Sequence, residues 1–343
     1  MRRTVPLALA LAAAATTAVF AAAASHWQQL PTSPLGTPYE ASAVWAGSEM
    51  VVFARTQPHP PNSVDAAAAY HPATHSWTTL TPFHGPRGSY NGSYQTLWTG
   101  RAVIVLGPVD AQAYYPRTNR WRRLRHDAES NSLLVWTGHR VISWGGGCCG
   151  SETAAGSIFN LRTNRWHPIA ASPLAPSDSP AGAWDGHEMI VLVSGIDPFG
   201  HPYPASDARA AAYNPATNQW RRIAQPPVSG GGTGIWDGRD VLFVGAPTGL
   251  AYSPATDRWR TLRRMPARRR SDASVTHAGR RVLVWGGSAA GRTGLEYIPR
   301  ANHWLSFGRA PIPSSSYPVT AWTGRTFLIV GGLGASGGAS WTP

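Results

Sequence analysis

Short apolar runs recur along the chain, each preceded by an aromatic residue, one spacer and glycine. Met50–Phe53 follows Trp45-Ala-Gly47, Val103–Leu106 follows Trp98-Thr-Gly100, and Val141–Trp144 follows Trp136-Thr-Gly138. Ile190–Val193 follows Trp184-Asp-Gly186, Val241–Val244 follows Trp236-Asp-Gly238, Val282–Trp285 follows His277-Ala-Gly279, and Phe327–Val330 follows Trp322-Thr-Gly324. Runs this short, rich in β-branched and aromatic residues and bounded by turn formers, predict strands. The glycine supplies the positive φ that a tight hairpin between a first and a second strand needs.

A second motif follows each run. Six copies place an aromatic residue seven positions before Trp: Tyr70…Trp77, Tyr114…Trp121, Phe159…Trp166, Tyr213…Trp220, Tyr252…Trp259 and Tyr297…Trp304. The intervening Pro-x-Thr-Asn-type segment predicts a turn between a third and a fourth strand, because Pro presets φ and Asn, Asp or Thr bonds its own backbone. From Trp45 to Trp322 the unit repeats about every 46 residues, the spacing of a propeller blade. No helical period is present after the N-terminal stretch. The pattern predicts an all-β, seven-bladed propeller over residues 25–343.

The ends of the repeat predict how the ring closes. The seventh unit runs through Val330 to Trp341-Thr-Pro343 and lacks its outer-strand Trp, while Trp27-Gln-Gln-Leu30 has the form of Trp77-Thr-Thr-Leu80 and Trp121-Arg-Arg-Leu124. The N-terminal strand is therefore expected to complete the last blade and to cover edges that would otherwise stay open.

The glycine pairs Gly145-Gly146, Gly286-Gly287 and Gly331-Gly332, each followed at a distance by the aromatic…Trp motif, resemble the kelch repeat. The stretch from Arg270 through His277 to Trp285-Gly286-Gly287 carries the resemblance best, whereas Phe53-Ala-Arg55, Leu106-Gly107 and Val244-Gly245-Ala246 lack the pair. The resemblance implies a kelch-type propeller like the central domain of galactose oxidase. A galactose-oxidase copper site needs a Cys cross-linked to Tyr, a second Tyr and two His. Here the two cysteines, Cys148 and Cys149, are adjacent. Copper oxidase chemistry is not expected on those grounds, and no metal or other cofactor is.

Met1-Arg2-Arg3 and the Ala/Leu/Val stretch to Ala24 have the charged and apolar regions of a secretory signal, with Ala22-Ala23-Ala24 as the cleavage site. Export as a secreted or wall-associated protein is expected; the alternative is an uncleaved signal anchor. The formal charge is +13, carried by arginine alone since the chain has no lysine. Arg120, Arg122, Arg123 and Arg125, and the run Arg268-Arg269-Arg270, read first as solvated edges that discourage edge pairing. Nucleic acid is excluded as a partner by the absence of any binding motif. A surface glycan, an anionic wall polymer or a protein remains, with the chain a monomer.

The long irregular segments fall after second and fourth strands and so share one face of the ring. A rigid scaffold displays function on such loops. Ligand-binding candidates there are Arg55, His84, Arg87, Tyr90, Glu152, Asp178, His201, Tyr203, Arg268 and Asp272. Cys148 and Cys149 could form a vicinal disulfide, strained because neighbouring Cα atoms sit only ~3.8 Å apart. The repeated Trp residues read as packing between blades, and Asp185 and Asp237 as turn residues. With no assembled constellation in sequence, the leading expectation is a non-catalytic binding module. The alternative is a sugar-active enzyme with acid–base groups at the mouth, similar to secreted kelch-type sialic acid epimerases.

Overall fold

A computed structural model describes residues 26–343, apart from 56–64, 81–93, 108–109, 148–149, 194–208, 229–230, 246–247, 267–269, 271, 288–290 and 333–334, with the backbone alone at 39, 40, 55 and 65. Seven antiparallel sheets of four strands each are present, and almost all other residues are turns and loops. The innermost strands of blades 1 to 7 are Tyr39–Trp45, Gln95–Trp98, Leu133–Trp136, Ala181–Trp184, Gly232–Trp236, Ala273–Ala278 and Val319–Trp322. Neighbouring blades touch around the whole ring, blade 7 against blade 1 included. No helix among the described residues is long and apolar enough to cross a membrane.

Closure occurs as the repeat predicts. His26–Gln29 pairs antiparallel with Gly338–Thr342, with Trp27 opposite Trp341, the register that joins Tyr70 to Trp77 in blade 1. Trp27 then packs against Trp285 of blade 6, at 5.5 Å between ring centroids. The second strand of each blade is its driest element: Met50, Val51, Val52 and Phe53 are fully buried, as are Val241, Leu242 and Phe243. Both faces of such a strand meet a neighbouring blade, which is why these runs are continuously apolar and do not alternate.

The aromatic…Trp motif turns out to be a clamp between blades. Trp220 donates its indole N–H to the Ala170 carbonyl of blade 3, while the Asn218 side-chain oxygen accepts the Ala170 N–H. One residue of the preceding blade is thus held at both of its backbone groups. The same pair of contacts joins Trp166 and Asn164 to Arg125, Trp259 and Asp257 to Ala224, and Trp304 and Asn302 to Arg263. Each Asn or Asp holds a left-handed φ of 46° to 56°, which these short polar residues tolerate. The tyrosine of the motif caps the arrangement, as in Tyr213 to Asn218 at 2.9 Å and Tyr297 to Asn302 at 2.7 Å. Burial raises the Tyr114 hydroxyl to about 12, so this hydroxyl stays a donor at any ordinary pH.

Asp185 and Asp237 are turn residues, accepting the two N–H groups that follow in each hairpin. Arg270, the described residue of the arginine run, departs from the solvated-edge expectation. Arg270 is only 7% exposed, its guanidinium bonded to the Gly286 and Thr293 carbonyls. Burial holds its pKa below the ordinary arginine value.

Candidate functional site

The kelch glycines have a steric reason. A Cβ on Gly145 would lie 3.0 Å from Pro180, one on Gly286 2.6 Å from Pro318, and one on Gly331 2.5 Å from Pro38. Each of those prolines immediately precedes the innermost strand of the next blade. The glycine therefore makes room for the chain entering the next sheet, and the pair occurs where a proline follows.

On blade 3 the glycines do more. Gly145 donates its N–H to Ala155, Gly146 to Ser177 in the loop to blade 4, and Gly147 to Ser130 in the loop from blade 2. Asn131 adds its side-chain amide to the Gly147 carbonyl, and Thr153 bonds both Gly146 and Ser177. Gly146 has φ +98°, and a Cβ there would sit 2.5 Å from the Ser130 carbonyl oxygen. Only glycine fits. Three loops from consecutive blades are stitched together through three residues, which fixes a rigid platform on the loop-bearing face.

That platform carries two of the sequence candidates. Glu152 precedes Thr153 and Asp178 follows Ser177, so they flank the hydrogen bond joining the two loops, Ser177 N–H to Thr153 carbonyl at 3.3 Å. Both side chains are half-buried, and a Glu152 carboxylate oxygen accepts the Gly150 N–H at 3.0 Å. Asp272 stands apart, in the loop entering blade 6. It holds φ +64°, and its carbonyl accepts the N–H of Tyr317, a tyrosine 61% exposed. Arg55 ends the second strand of blade 1, opposite Asp65. His84, Arg87, Tyr90, His201, Tyr203, Arg268, Cys148 and Cys149 lie outside the described residues.

Sequence reasoning passed over Arg270. Its Nε, buried on the same face, has no hydrogen-bond partner among the described residues. It was hidden in a run of three arginines whose charge alone suggests solvent.

The architecture has solved counterparts. A fungal alcohol oxidase of the AA5 family, solved in complex with copper, matches with a TM-score of 0.66 at 12% identity, over 92% of this chain and 76% of that one. The fold is a galactose oxidase-like, seven-bladed propeller. No protein-family model matches the chain, and no curated protein matches it by sequence.

This comparison corrects the expectation of a non-catalytic binding module. That expectation rested on the lack of an assembled constellation in sequence, yet the solved propeller that shares the fold is an enzyme. The fold gives no ground for treating the chain as inert, and most of the loop candidates lie outside the described residues. Among the described residues, no three His, Cys, Asp or Glu side chains stand together.

Proposed function

We propose that this chain is an enzyme whose substrate meets the loop-bearing face over blades 3 and 4, with Glu152 and Asp178 moving protons there. The observation that carries the reading is the glycine platform, which ties together two loops of blade 3 so that Glu152 and Asp178 are sequence neighbours of the two residues sharing one interloop hydrogen bond. A carboxylate pair held on rigid backbone suits general acid–base catalysis, where one group gives a proton and the other takes one. The relative with the same fold acts on alcohols by its printed description, which points to a hydroxyl-bearing substrate. An exported protein would meet such substrates as free sugars or surface glycans. His84, Arg87, His201, Tyr203 and Arg268, which the repeat pattern of the sequence assigns to loops of that face, are further candidates for substrate contact.

The test is turnover on a panel of alcohols and oligosaccharides, run with and without Cu(II) while dissolved oxygen is followed. Glu152→Gln and Asp178→Asn should each lower kcat about 100-fold or more while leaving Tm near the parent value. Turnover unchanged in both variants would remove the assignment. Copper-dependent oxygen consumption would replace it with oxidase chemistry carried by residues other than this pair.

A further inference from the structure

On the face opposite the loops, the seams of blades 4 and 5 and of blades 5 and 6 share a polar chain. At the seam of blades 4 and 5, Glu188 takes a bidentate bond from Arg221, at 2.6 to 3.1 Å. Arg221 also reaches the Tyr252 hydroxyl, which donates to Asp257 at 2.8 Å. At the seam of blades 5 and 6 the same positions are Asp240, Arg260, Tyr297 and Asn302, with Arg260 bonded to Asp240 at 3.0 Å. At both seams the acid is the residue just before the second strand, and the arginine follows the outer-strand Trp.

The seam of blades 2 and 3 breaks this pattern twice. Its arginine, Arg122, directly follows Trp121, but the acid position is Ala102 and the tyrosine position is Phe159. Arg122 has neither partner, and its one hydrogen bond among the described residues is a long one, 3.4 Å to the Leu161 carbonyl. Where the carboxylate would stand, there is a groove of about 660 Å³ lined by Arg101, Ala102, Arg122, His139, Arg140 and Arg162, among other residues. No acidic residue lines it, and none of its arginines forms an ion pair among the described residues. An arginine fork without a carboxylate is a ready acceptor for an oxyanion, since guanidinium geometry matches carboxylate and phosphate alike. Several like charges around one groove raise the local concentration of anions further.

We infer that the groove between blades 2 and 3 binds the phosphate or carboxylate group of an extended, multiply charged ligand, which takes the place of the missing side-chain acid. The site is on the far side of the ring from Glu152 and Asp178 and stands or falls independently of them. Its chemistry does not distinguish phosphate from carboxylate, so the experiment has an arm for each.

Calorimetric titration with tripolyphosphate and with trigalacturonate, maltotriose serving as the uncharged control, tests the inference. At least one anion should bind, maltotriose should not, and raising the salt from 50 to 500 mM should weaken the binding. Ala102→Glu supplies the acid found at the seams of blades 4 and 5 and of blades 5 and 6, and should weaken anion binding at least tenfold. Arg122→Gln, at an exposed position that leaves the fold intact, should weaken it similarly. If neither anion binds the parent protein, or if Arg122→Gln binds as tightly as the parent, the groove is not an anion site.

Discussion

Tight turns make up one face of the ring, and four seams there repeat a single theme. An Asn or Asp in a left-handed turn and a Trp indole hold the preceding blade at four seams, in nearly the same geometry. The loop-bearing face has no such theme. Among the described residues, blades 3, 6 and 7 set a glycine beneath the proline of the next blade, and blade 3 adds a third glycine that ties in the loop from blade 2. Regularity on one face leaves the ring's stability largely independent of what the other face does. The irregular face is then free to differ from blade to blade, as a face that recognises a substrate must.

The largest effect should come from opening the ring. Deleting residues 26–30 removes Trp27 from its contact with Trp285 and leaves Gly338–Thr342 as an unpaired edge. Loss of the Trp alone costs about 3–5 kcal/mol by analogy with large-to-small core changes, against a net stability of about 5–15 kcal/mol. The truncated protein should aggregate on heating well below the parent, as followed by light scattering. An unchanged melt would mean that the seams, and not closure, hold the ring together.

A smaller effect separates the two kinds of glycine. Gly186 sits in a tight hairpin with φ +103° and open space where a Cβ would go, so Gly186→Ala should cost only the backbone strain, about 1–2 kcal/mol. Gly146 has a similar φ, but a Cβ there would press on the Ser130 and Ser132 backbone at 2.5 and 2.8 Å. Gly146→Ala should therefore cost about 3–4 kcal/mol, the same strain plus an overpacking term. It should also lower turnover at the platform, which Gly186→Ala should not. Urea denaturation of both variants measures the difference, and equal costs would show that the interloop platform is soft.

The smallest effect tests the clamp through pH. The Ala224 N–H bonded to Asp257 holds its carboxyl below the ordinary value near 3.8. A depressed folded pKa stabilises the fold above the unfolded value, and that contribution fades as pH falls through the folded one. Asp257→Asn keeps the accepting oxygen, as Asn164, Asn218 and Asn302 do at the other seams. The parent should be slightly more stable than the variant at pH 6, and the two should converge as the pH drops below about 4. Parallel pH–Tm curves would show that charge has no part in the clamp.

Much of this was legible in the chain because it is written locally. A strand needs only its apolar run, a hairpin its glycine, and a closing strand its matching Trp. Blade number, closure and the turn roles of Asp185 and Asp237 follow from such short-range signals. The burial of Arg270 was not legible, because it depends on carbonyls at 286 and 293 that reach it only when blade 6 is assembled. The two described carboxylates of the site were named as candidates, but nothing in sequence joined Glu152 to Asp178 or separated both from Asp272.

The sequence by itself determined a seven-bladed ring, because each blade is specified by interactions within about 46 residues of chain that repeat with the same register. Only the tertiary structure decided which polar groups share a place. Loops of consecutive blades meet at the glycine platform, and Arg122 faces an alanine where its counterparts face an acid. Those neighbours are set by the packing of one sheet on the next, and no spacing along the chain records which side chains two facing sheets will bring together.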